Sequence, residues 1–183
     1  KKIKEKGTLV IGTSNDAPFA YMDVNTNQFS GTDAEIIKEV MKRMGVNKVE
    51  MKTVPFENLI VELNNGSIDM VVDALYIKPE RLEKAYFTDV WYQESEAVVI
   101  KKDSSSQTQD SLKDAVIGAQ KGTAFLETAQ KWKDAGKIKD VKIMNSQAEL
   151  IMAVNTDKID ACITDGIVAG YTLKKDPTLD LKI

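Results

Sequence analysis

Of 25 basic side chains only two, Arg43 and Arg81, are arginine; the other 23 are lysine. A guanidinium presents a planar, two-pronged fork that matches a carboxylate, and an ammonium cannot copy it. Arg43 falls late in an amphipathic stretch, where a solvated cation complements the negative end of a helix. Arg81 follows an apolar run, in the opening turn of Pro79-Glu80-Arg81, where a cation gains nothing from the dipole. It either grips a ligand carboxylate or pairs at the surface with Glu80 or Glu83. Asp165 is the natural opposite charge. It closes one apolar run and opens the next helical one, so it either caps that helix or receives an ammonium. An arginine and an aspartate facing each other would hold a zwitterion. Phe19, Phe56 and Tyr76 each follow a strand-like run, and either fill the core or wall the ligand.

Other chemistry is excluded outright. With no histidine in the chain, Ser-His-Asp triads, Cys-His pairs and His-ligated zinc are impossible. Cys162 is the single cysteine, and its apolar surroundings read as a small buried hydrophobe. In Gly118-Ala119-Gln120-Lys121-Gly122-Thr123 the lysine precedes the second glycine, which meets neither the phosphate-loop nor the dinucleotide spacing. An enzyme would have to work through carboxylates, with Asp16 or Asp73 as general acid if burial raised its pKa. We assign no catalytic residue, and expect no cofactor and no metal.

These side chains need elements that bring them to one edge. Residues 8–12 read as a buried strand. Ile36, Ile37, Val40, Met41 and Met44 mark a helical face behind Gly31-Thr32-Asp33, with Thr32 or Asp33 as cap. Val49 and Met51 start a second strand, Phe56, Leu59, Ile60 and Leu63 a second helix, and residues 68–72 a third strand. The second half repeats the order: strands at 115–119, 141–144 and 159–163 alternate with helices at 124–132, 147–154 and 166–173. Such alternation implies parallel sheets flanked by helices. Residues 96–100 read as a strand between the halves, and the polar run 101–110 as a linker or hairpin.

An internal match supports two similar lobes. At a constant offset of 91, Leu59, Ile60, Leu63, Asn64, Ile68 and Asp69 pair with Leu150, Ile151, Val154, Asn155, Ile159 and Asp160. Either the general grammar of α/β units or a true structural repeat produces this. In open α/β sheets ligands sit beyond the carboxyl ends of the strands. Asp16, Phe19, Phe56, Asp73, Tyr76 and Arg81 collect at those ends in the first half, and Gly122, Thr123 and Asp165 in the second.

Composition bounds the rest. The 183 residues, 43% hydrophobic and 29% charged, make one domain or two small ones. A net charge of −3 with no basic stripe argues against nucleic acid as a partner. No apolar run approaches the roughly 18 residues of a membrane span.

Gly7-Thr8-Leu9-Val10-Ile11-Gly12, Ala17-Pro18-Phe19, Gly31-Thr32-Asp33, Gly66-Ser67-Ile68-Asp69, Ile77-Lys78-Pro79-Glu80-Arg81, Phe87-Thr88-Asp89, Gly122-Thr123 and Ile159-Asp160-Ala161 occur in that order. Together they resemble the extracytoplasmic solute-binding proteins of amino-acid ABC transporters, family 3, with the type II periplasmic binding fold. That resemblance implies an α/β fold of two similar lobes, each a mainly parallel sheet flanked by helices, with a ligand cleft between them. It implies lobes at 1–95 and 96–183, the first lacking a C-terminal return segment. Arg81 would hold the α-carboxylate with backbone N–H groups near Thr123. Asp165 would hold the α-amino group, and Asp16, Phe19 and Phe56 would meet the side chain. The partners implied are a small zwitterion, with a polar amino acid favoured, and a membrane permease. The implied protein is a monomer outside the cytoplasm, tethered or exported by a segment upstream of Lys1. Asp73-Ala74-Leu75-Tyr76 and Ala124 depart from the amino-acid pattern. Tyr76, with Asp16, Phe19 and Phe56, looks similar to the ectoine-binding branch. A receptor sensor domain and a dehydratase acting on small carboxylates are the other readings.

Overall fold

The apolar run Leu9-Val10-Ile11 makes Thr8–Thr13 the central strand, β1, of a small parallel sheet. Leu9 and Ile11 point to one face and pack with Ile37 and Met41 of a helix at Thr32–Arg43. Val10 and Gly12 take the other face, as the two-residue period of a strand requires. In the computed structural model, which describes residues 2–183, the chain divides into two compact units, Lys1–Trp91 and Tyr92–Ile183.

The first unit opens with a short helix, α1 (Lys2–Lys6), before β1. A hairpin of β2 (Tyr21–Asp23) and β3 (Gln28–Ser30) leads into α2 (Thr32–Arg43). Then come β4 (Lys48–Thr53), a 3-10 turn at Phe56–Asn58, α3 (Leu59–Asn64), β5 (Met70–Val71) and α4 (Pro79–Leu82). The sheet order is β4-β1-β5, all parallel.

The second unit holds β6 (Glu96–Lys101), a 3-10 turn at Gln109–Leu112, β7 (Val116–Gln120), α5 (Ala124–Asp134), β8 (Asp140–Met144), α6 (Gln147–Asn155), β9 (Ala161–Asp165), α7 (Gly166–Lys175) and β10 (Leu181–Lys182). Its order is β10-β6-β9-β7-β8. Strands β7, β8 and β9 are parallel, while β6 runs antiparallel to β9 and β10. Thus β8-β7-β9 repeats β4-β1-β5, but β5 is an edge whereas β9 is interior.

The offset of 91 has a packing basis. A Cβ added to Gly12 of β1 would lie 2.5 Å from Ile68 Cδ1 and 3.4 Å from Leu59 Cδ2. One added to Gly118 of β7 would lie 2.6 Å from both Ile159 Cδ1 and Leu150 Cδ2. In each unit the same Leu and Ile fill the space that the central strand leaves open. The helix lies against the sheet at a distance that a side chain would forbid.

Three expectations are corrected. Neither Thr32 nor Asp33 caps α2 through its side chain; Gly31, at φ 114°, is the cap residue. The first N–H groups of the helix go instead to backbone carbonyls, Thr32 to Pro18 and Asp33 to Phe19. The third strand is shorter than 68–72, although Asp69 N–H still bonds Val10 O and Val72 N–H bonds Gly12 O. The polar run 101–110 does not join the two units. It leaves β6 inside the second, and the division falls at Trp91 and Tyr92. Among the described residues no helix is long and apolar enough to cross a membrane.

Candidate functional site

In the first unit the chemistry gathers where β1 and β5 end. Thr13 closes β1 with its side chain on the buried face, and Asp73 follows β5 at 6% exposure. The Asp73 carboxyl joins the two strand ends. Its Oδ1 lies 2.6 Å from Thr13 Oγ1 and accepts the Ser14 N–H at 3.1 Å; its Oδ2 lies 2.6 Å from Ser14 Oγ. Ser14 Oγ also lies 2.9 Å from Asp16 Oδ2, so one hydroxyl bridges two carboxyl groups. Burial, and then the neighbouring Asp16 charge, push the Asp73 pKa up to about 7, against the pull of the Ser14 and Thr13 bonds. Asp33, at the start of α2, accepts the N–H of Ala74 at 3.2 Å, where the chain turns through a positive φ of 47°.

A second cluster forms one turn further on. Arg81 is 8% exposed and donates from Nη1 to the Tyr76 carbonyl at 2.8 Å. Its guanidinium lies over the Phe56 ring, 5.7 Å from the centroid. Burial excludes a solvated surface pair for Arg81, and Glu80 is engaged by Lys78 at 2.6 Å. Arg43, by contrast, is an exposed residue bonded to Glu39 at 2.8 Å within α2. Phe56 and Tyr76 are half-buried, whereas the Phe19 side chain is buried at 3% exposure.

In the second unit the ends of β7 and β9 carry the candidates. Gly122 adopts a positive φ of 78°, which turns the chain out of β7. Thr123 then caps α5: its hydroxyl donates to Gln120 O at 2.7 Å and accepts the Leu126 N–H at 3.2 Å. An N-terminus of this kind favours an anion. Asp165 caps α7, with Oδ1 accepting from Ile167 at 2.8 Å and Val168 at 2.9 Å. Only Oδ1 is used; Oδ2 has no hydrogen bond among the described residues, although the residue is 3% exposed. The capping and ligand readings of Asp165 are therefore compatible, one oxygen for each.

Sequence reasoning missed Thr13, Ser14, Asp33 and Gln147. Gln147 Oε1 accepts from the Thr164 hydroxyl and from Asp165 N–H, and so fixes the strand end that carries Asp165. A hydroxyl pair just after a buried strand was the one available signal for Thr13 and Ser14. Nothing in the sequence marked Gln147. No cluster of three metal-ligating side chains occurs among the described residues.

Residues 9–156 match the family described as bacterial extracellular solute-binding proteins, family 3. The chain belongs to that family. Among its relatives is the arginine-binding extracellular protein ArtP of Bacillus subtilis (strain 168), 31% identical over 173 residues, 93% of this chain and 66% of the relative. Another is a glutamine-binding protein of Geobacillus stearothermophilus, 29% identical over 181 residues, 97% of this chain and 68% of the relative. This family 3 chain spans about two thirds of the length of the curated relatives it matches. An ancestral arginine-binding protein bound to arginine superposes with a TM-score of 0.88 at 30% identity, over 96% of this chain and 77% of the other. The ancestral amino acid-binding protein AncCDT-1, a precursor of cyclohexadienyl dehydratase, gives 0.86 at 30% identity, over 94% and 77%. The family assignment carries the type II periplasmic binding fold that the sequence motifs implied.

Proposed function

We propose that the chain binds a small zwitterionic amino acid and hands it to the permease of an ABC transporter, outside the cytoplasm. The single observation that carries this reading is Asp165, a buried carboxylate with one oxygen spent on a helix cap and the other free for an ammonium. Arg81 receives the α-carboxylate. Its guanidinium is held in place by the Tyr76 carbonyl and the Phe56 ring. In the second unit the turn at Gly122 and Thr123 presents the positive end of α5, which suits an anion. Asp16, Asp73, Phe19, Phe56 and Tyr76 shape the side-chain pocket. Relatives named for binding arginine and glutamine support an amino acid over a compatible solute.

Calorimetric titration with a panel of amino acids, ectoines and betaines tests it. An amino acid binding at micromolar or tighter concentration is the expected result, and silence across the panel overturns the proposal. We also read the chain as a binder rather than a catalyst. The raised pKa of Asp73 gives the dehydratase alternative its one physical support, and product formation from a cyclic carboxylic acid would favour that alternative.

A further inference from the structure

A proton count at the end of β1 shows more than the binding reading requires. Ser14 Oγ lies 2.6 Å from Asp73 Oδ2 and 2.9 Å from Asp16 Oδ2, yet a hydroxyl has one proton to give. With both carboxyls ionised, one of these contacts would set lone pair against lone pair. One added proton on Asp73 Oδ2 resolves the bridge. Asp73 then donates to Ser14, Ser14 donates to Asp16, and Oδ1 keeps the Thr13 hydroxyl and the Ser14 N–H. The negative charge is left on Asp16, the more exposed end of the chain of bonds.

We propose that Asp73 is a positioning residue that stores a proton for the ligand site: it holds Asp16 ionised through Ser14, and it releases its proton when a ligand brings a cationic side chain to Asp16. A neutral side chain leaves the proton where it is. The site thereby gains a second negative charge only when a second positive charge arrives, which favours amino acids with a cationic side chain. This rests on the amino-acid reading above and narrows it. The ionisable groups at this strand end agree with it. Asp16 comes from the loop after β1. Asp33 of α2 accepts the Ala74 N–H, and Arg81 of α4 donates to the Tyr76 carbonyl over the Phe56 ring. Burial and the Asp16 charge set Asp73 to titrate near 7, where such an exchange is easy.

Two measurements test it. Infrared spectroscopy of the ligand-free chain at about pH 6 reads the protonated carboxyl directly; a carboxylic-acid band should be present, fade by about pH 8, and be missing from Asp73→Asn. Calorimetry with L-arginine and L-glutamine, in two buffers of different ionisation enthalpy at about pH 7, reads proton release on binding. About half a proton should leave with L-arginine and none with L-glutamine. In Asp73→Asn, an isostere of the protonated acid, L-arginine should bind with no release and no pH dependence. If that variant does not fold, Ser14→Ala should cut the release at least twofold. Absence of the infrared band overturns the proposal whatever binds. Binding of L-arginine without proton release overturns the coupling alone. Failure of L-arginine to bind, with the band in place, overturns the coupling, and the wider panel decides the amino-acid reading.

Discussion

Asp69 and Asp160 stand at the same place in two different sheets and make the same bond. Each carboxylate accepts the backbone N–H of a residue near the start of its central strand, Val10 at 2.9 Å and Val116 at 2.7 Å. Each is preceded by the isoleucine that fills the space over the central glycine. The repeat is therefore a latch as well as a packing motif: the loop after the helix is fastened to the strand on which the helix rests.

Removing either latch should destabilise its own unit. Asp69→Ala and Asp160→Ala each leave a backbone donor without its charged acceptor, at a cost of about 1–3 kcal/mol. Urea denaturation read by circular dichroism should show a lowered midpoint for the unit that carries the change. Lys6, bonded to Asp69 at 3.0 Å on the surface, adds little to this.

Arg81→Lys should weaken amino-acid binding at least tenfold. A lysine keeps the charge, but it cannot lie flat over Phe56, bond the Tyr76 carbonyl and fork a carboxylate at once. Calorimetry decides it; unchanged affinity would remove Arg81 from the site.

Asp165 separates cap from ligand by choice of substitution. Asparagine is as good a cap as aspartate, so Asp165→Asn should keep the melting temperature within a few degrees while weakening zwitterion binding at least tenfold. Asp165→Ala loses both functions, with about 1 kcal/mol of stability gone as well. Thermal melting and calorimetry on the two variants separate the roles.

The pH dependence of stability follows from Asp73. Its pKa is raised on folding from 3.8 to about 7, so between these values the folded chain binds more protons than the unfolded one. Stability from this group is full below about 4, falls as pH rises and is lost above about 7. Denaturation midpoints of the wild type should drop across that window, and those of Asp73→Asn should drop less.

Cys162 should be inert while the chain is folded. It is buried within β9, and burial pushes its thiol pKa up to about 12, so almost no thiolate forms near neutral pH. A chromogenic thiol reagent should react only after denaturant is added.

Much of this was legible in the residues because period and packing agree. The strands and helices of both units fall within a few residues of where the apolar spacing puts them. Arg81 stood out because a chain so rich in lysine kept an arginine beyond a strand end. The errors have local causes. The cap of α2 was misread because its acceptors, the Pro18 and Phe19 carbonyls, come from a turn well upstream that no helix-start pattern includes. Thr13 and Ser14 were passed over because a Thr-Ser pair is ordinary in sequence. It becomes informative only when β5 sets Asp73 beside it. Gln147 looked like any helix-opening residue, and its contact with Thr164 and Asp165 depends on α6 lying over the end of β9.

The latches bond to the central strands near their starts and the glycines lie within those strands, while Asp165 closes β9 and Asp73 and Thr123 lie just beyond strand ends. On the proposed reading, what packs each sheet and what would meet a solute occupy different stretches of the same few segments. Because Thr123 and Asp165 also cap helices, a substitution there that alters solute preference has to keep a capping side chain, whereas loop positions such as Asp16 are under no such demand.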